Sequence, residues 1–88
     1  MQIVFRVDAT KNIGLGHLMR CFALAEELVK NKNTCYFISN IDSEKIVEKI
    51  TKSKIILEKI STSPNSNQDL NYLIDFSRNK NIKWIVTD

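Results

Sequence analysis

Glycine is scarce in this chain. There are two in 88 residues, Gly14 and Gly16, and they flank a single leucine, Leu15. Proline occurs once, at Pro64, and histidine once, at His17. The two cysteines, Cys21 and Cys35, show no metal-ligand spacing and follow no signal peptide, so reduced thiols in a cytoplasmic protein are expected. No apolar run reaches transmembrane length, and no internal repeat or low-complexity segment appears. The amino terminus opens directly on a strand-like run, with no targeting segment in view. What remains is ordinary globular material: 43% hydrophobic and 26% charged residues, enough for one small domain and not two. The net charge of +3 comes mostly from lysines interleaved with glutamates, as in Glu44-Lys45 and Glu48-Lys49. That pattern reads as a solvated surface, not a nucleic-acid stripe.

The two glycines mark the place where unusual chemistry gathers. Ile3-Val4-Phe5-Arg6-Val7 is short, mostly apolar and β-favouring, as a strand covered on both faces should be. Asp8 to Asn12 is polar and cannot continue it. From Leu18 the apolar residues recur at Phe22, Ala25 and Val29, with Met19 and Leu28 beside them, which is a helical stripe. Gly14 and Gly16 therefore fall at a strand-to-helix crossover, at the carboxyl end of the first strand. In open α/β sheets that edge binds ligands. Glycine permits positive φ and close approach of a ligand to the backbone. The N–H groups of the following helix favour an anionic or oxygen-rich group. His17, at the positive end of that helix, is expected to be a neutral ring, suited to take a proton from water. The same residues also fit a plain tight turn followed by a surface histidine.

The pattern F-R-V-D-(x5)-G-L-G-H-L-M-R-C-(x2)-L-A resembles the amino-terminal signature of a family of UDP-sugar hydrolases. The family is that of UDP-2,4-diacetamido-2,4,6-trideoxy-β-L-altropyranose hydrolase of pseudaminic acid biosynthesis, and it includes spore-coat polysaccharide biosynthesis proteins. The matching positions are Phe5, Arg6, Asp8, Gly14, Gly16, His17, Arg20, Leu24 and Ala25, in the first third of the chain. The family is similar in fold to the two-domain GT-B glycosyltransferases. The resemblance implies a UDP-sugar substrate, with His17 as general base on the water that attacks the anomeric carbon. It implies a sugar-phosphate pocket lined by backbone N–H groups around Gly14, Leu15, Gly16 and His17. Asp8 would orient His17 or contact the sugar, unless it caps the turn from Asp8 to Thr10. Arg20 would touch phosphate or pair with a carboxylate. The resemblance implies no metal and no cofactor, and neither nucleic acid nor membrane is expected as a partner.

Along the rest of the chain, a helix over about 15–31 ends at the Asn31-Lys32-Asn33 tract. Thr34 to Ser39 reads as a second buried strand. Asn40, Asp42 or Ser43 can cap the next helix, whose apolar face is Ile46, Val47 and Ile50. Ile55 to Leu57 is a short third strand. Ser61 to Gln68 is a polar loop around Pro64, read as a surface connection. A helix over about 67–79 is expected to bury Leu70, Leu73, Ile74 and Phe76, and Ile82 to Asp88 gives a fourth strand.

Strands alternate with helices, which predicts right-handed βαβ units. We expect an α/β, Rossmann-like three-layer domain with a parallel four-stranded sheet in the order 3-2-1-4. Asp88 would close the fourth strand at the same edge as Asp8 and His17. On the resemblance, the chain reads as the first half of a GT-B amino-terminal domain, without the carboxyl-terminal nucleotide-binding domain. The fourth strand would then expose an edge for self-association. The rival readings are a GT-B glycosyltransferase and a non-catalytic nucleotide-sugar-binding module. A dinucleotide-binding dehydrogenase fits less well, because G-x-G-H lacks the third glycine, although Asp42 is placed to meet a ribose.

Overall fold

A computed structural model describes residues 1–10, 14–61 and 66–87. The elements alternate as β1 (Gln2–Arg6), α1 (Gly16–Lys30), β2 (Thr34–Ser39), α2 (Glu44–Lys52), β3 (Ile56–Lys59), α3 (Asn67–Asn79) and β4 (Trp84–Thr87). All strand pairs are parallel and the sheet order is β3-β2-β1-β4. The expected α/β architecture and strand order are those of the structure. Parallel neighbours need a crossover, and the helix between each pair of strands supplies it.

The sheet buries its two faces unequally. Residues alternate sides along a strand. Ile3, Phe5 and Val7 face α1 and α2 with Cys35 and Phe37 from β2, and Leu18, Phe22, Ala25 and Ile50 close that layer. Phe5 and Phe37 lie with ring centroids 5.2 Å apart at its centre. Val4, Tyr36 and Ile38 face the other way, beneath Tyr72, Leu73 and Phe76 of α3. Tyr36 meets Phe76 edge to face at 5.3 Å.

The scarcity of glycine shapes the helix ends. Lys32 and Asn81 take the left-handed conformation after α1 and α3, with φ of 68° and 54°. In each case the next residue's N–H bonds back into the last turn, Asn33 to Leu28 and Ile82 to Ser77. These are Schellman closures made without the usual glycine. Gly14, also at positive φ, is reserved for the loop after β1.

Two expectations need correction. Leu70 and Ile74 are not buried by α3: they are 54% and 39% exposed. The buried residue of that first turn is Asp69, and α3 rests on the sheet through Leu73 and Phe76 instead. Helical spacing fixes which residues share a stripe, but a 13-residue helix with several apolar positions offers more than one stripe. The third strand also runs later than expected, to Glu58 and Lys59, because an edge strand is half covered and tolerates charge. β4, at the opposite edge, exposes Trp84 and Ile85. Asp88 and the Pro64 segment, 62–65, lie outside the described residues.

Candidate functional site

The chain leaves β1 without leaving the sheet at once. Ala9 donates its N–H to the Asn40 carbonyl at 2.9 Å and bridges Ile41 in parallel, so the connections after β1 and β2 stay paired past the strand ends. Gly14 then donates its N–H to the Thr10 carbonyl at 2.8 Å, closing a turn in which Gly14 has φ +88°. A side chain at Gly14 would meet no neighbour, so conformation and not crowding is what requires glycine there. Gly16 begins α1 and likewise faces open space. The α1 N-cap is Leu15, which offers no side-chain hydrogen bond, and the first turn carries no acidic residue. The first-turn amides of α1 have no intrahelical acceptor, and their dipole is not met by a carboxylate of that turn.

A cavity of about 390 Å³ opens at this edge of the sheet. Thr10, Gly14 and Leu15 line one side, and Asp42, Ser43 and Lys45 at the start of α2 line the other. Volume and position are those of a small-ligand pocket. Ala9 and Ile46 complete a lining that is mostly apolar, with the hydroxyls of Thr10 and Ser43, the Asp42 carboxylate and the Lys45 ammonium as the polar groups available to a ligand. The sequence points to Ser43 only as a helix cap, which it is, and to Lys45 only as surface charge. Their signal was available: they follow a parallel strand at the same sheet edge as the glycine loop.

The six nominated residues divide. Gly14 and Leu15 line the cavity, while Gly16, His17 and Arg20, on the exposed start of α1, do not. Arg20 Nη2 lies 2.8 Å from His17 Nδ1, one helical turn away. A guanidinium only donates, so Nδ1 accepts and the ring's proton sits on Nε2.

Asp8 is elsewhere. It is 6% exposed, and its Oδ1 accepts from Arg6 Nη1 at 2.5 Å and from the Asn40 backbone N–H at 2.8 Å. Arg6 Nε donates to Asp69 Oδ1 at 2.6 Å, and Nη1 also reaches the Ile38 carbonyl at 3.3 Å. Burial opposes the charge on Arg6, but the hydrogen bonds and attraction of Asp8 and Asp69 outweigh it, and the guanidinium is held above its ordinary pKa. Arg6 Nη2 is buried with no hydrogen-bond partner. Asp8 thus ties β1 to the end of β2, and Asp69 ties α3 to the sheet. Asp69 is itself set by the α3 cap, where its N–H donates to Ser66 Oγ at 3.1 Å.

Among the described residues no group of three or more His, Cys, Asp or Glu could hold a metal, and no helix is long and apolar enough to cross a membrane. Fold and loop together define a parallel α/β unit of Rossmann-like order with a small, mostly apolar pocket carrying a few polar groups at its carboxyl edge. No family model, no curated protein and no solved structure matches the chain.

Proposed function

We propose that this chain forms the sugar-facing part of a cytoplasmic nucleotide-sugar hydrolase acting on a UDP-linked diacetamido trideoxy sugar. One observation carries the reading: an exposed histidine, the chain's single one, opens the helix that follows the glycine turn, and Gly14 and Leu15 of that turn line a pocket at the carboxyl edge of a 3-2-1-4 sheet. The F-R-V-D and G-L-G-H-L-M-R-C resemblance supports the substrate class. In this reading Leu15 and Gly16 present backbone amides to the sugar phosphate, while Gly14, whose N–H is held by the Thr10 carbonyl, shapes the turn that places them. Thr10, Asp42 and Ser43 meet hydroxyl and acetamido groups. His17 takes the proton from water as the water attacks the anomeric carbon, and UDP leaves. Asp8 holds the loop's root in place and stays out of contact with substrate.

GT-B enzymes hold the nucleotide mainly in a second domain, so the 88 residues alone should release little or no UDP. Release at an ordinary enzymatic rate by these residues alone contradicts that arrangement. In an active hydrolase carrying these residues, His17→Asn should abolish turnover while substrate binding stays near the wild-type value. Full turnover in that variant removes His17 from the role of base. The second reading, a binding module without catalysis, is favoured by one fact: the His17 Nδ1 lone pair is already engaged by Arg20. It predicts the same binding and no effect of His17→Asn on any reaction. We further expect a second copy to pair along β4, where Trp84 and Ile85 are exposed. A monodisperse monomer in light scattering would count against that pairing.

A further inference from the structure

A general base needs an unshared electron pair directed at its proton donor. His17 has one such pair while the ring is neutral, and geometry places it on Nδ1, 2.8 Å from Arg20 Nη2. Arginine keeps its charge at any working pH and has no acceptor atom. In this arrangement His17 therefore cannot take a proton: its lone pair already faces a cation. The bond is also a weak one. Both side chains lie on the exposed surface of α1, so water competes for each partner. Phosphate is a much better partner for a guanidinium than a neutral imidazole is. It is charged and accepts two parallel N–H bonds.

We propose that Arg20 is a positioning residue that keeps His17 in reserve and releases it when a phosphate group arrives. The inference rests on the hydrolase reading and deepens it. In the empty site Arg20 caps Nδ1 and fixes the Nε2–H tautomer. A nucleoside-diphosphate sugar settling at the glycine turn draws the guanidinium onto its phosphate oxygens. The freed Nδ1 then faces solvent at the exposed start of α1. A water proton passes to Nδ1 and the water oxygen bonds the anomeric carbon. The bond from that carbon to the phosphate oxygen breaks, with its electron pair leaving on UDP. Hydrolytic competence is thus withheld until the phosphate is bound.

The chain contains one histidine, so its ring nitrogens can be read without ambiguity by nitrogen-15 NMR. The test compares wild type, Arg20→Leu and Arg20→Lys at a pH where the ring is neutral, each with and without UDP. Without UDP, the wild-type Nδ1 resonance should be that of a hydrogen-bonded acceptor with the proton wholly on Nε2. Arg20→Leu should shift Nδ1 and admit the second tautomer, and Arg20→Lys should restore most of the wild-type position. UDP should move wild-type Nδ1 toward the Arg20→Leu value and leave Arg20→Leu itself unmoved. Identical Nδ1 resonances in wild type and Arg20→Leu overturn the proposal. So does a UDP concentration that shifts the Gly14 and Gly16 amides yet leaves wild-type Nδ1 in place; in that case the nucleotide-sugar reading survives. No shift anywhere at saturating UDP overturns both.

Discussion

Arg6 and Arg20 belong to one sequence signature, yet they have opposite situations. Arg6 is 6% exposed and held by two carboxylates and a carbonyl. Arg20 lies on the surface of α1 and reaches the His17 ring. Fourteen positions separate them, with the glycine turn between. The turn therefore divides the signature into a half that builds the sheet edge and a half that stands beside the pocket. Asp8 goes with Arg6 and His17 with Arg20. A shared motif is not a shared role: the first half secures the geometry that gives the second half a fixed place to act.

Substitutions should separate the halves by size of effect. Asp8→Ala should cost the most, about 3 kcal/mol, because it leaves a buried guanidinium short of a counter-charge and the Asn40 N–H without its acceptor. Asp69→Asn keeps an oxygen for Arg6 Nε and loses only the charge, so about 1 kcal/mol is expected. Arg20→Leu should fall within about 0.5 kcal/mol of wild type, as an exposed helix position with one weak bond. Urea unfolding of the three variants checks the order. A large loss for Arg20→Leu together with a negligible one for Asp8→Ala would erase the division.

Much of this was legible beforehand, and the rest was not for physical reasons. The alternation of apolar runs with helical stripes gives the parallel order directly, since right-handed crossovers leave few other arrangements. The bounds expected for β2 and α3 agree with the structure because clear polar breaks flank both. The Arg6–Asp69 pair joins residues 63 apart, and no local pattern encodes that contact. The Arg6–Asp8 pair had a readable sign: two residues apart on an extended chain, they share a face. The nearby glycine turn instead suggests His17, the sugar or the turn itself as the partner of Asp8. Leu70 and Ile74 show the complementary limit. A helix's own period does not say which way its apolar stripe will turn, and the buried Asp69 settles the rotation of α3. The His17–Arg20 bond follows from one helical turn of separation, and the expectation that they share a face agrees with it.

The most direct measurement is an NMR titration of the 88-residue chain with UDP-N-acetylglucosamine, following every backbone amide. The account predicts weak binding with shifts on Thr10, Gly14 through Arg20 and Asp42 through Lys45, and an undisturbed Arg6, Asp8 and Asp69. Shifts centred on Arg6 and Asp69 with a silent glycine turn, or no shifts at any concentration, would contradict it.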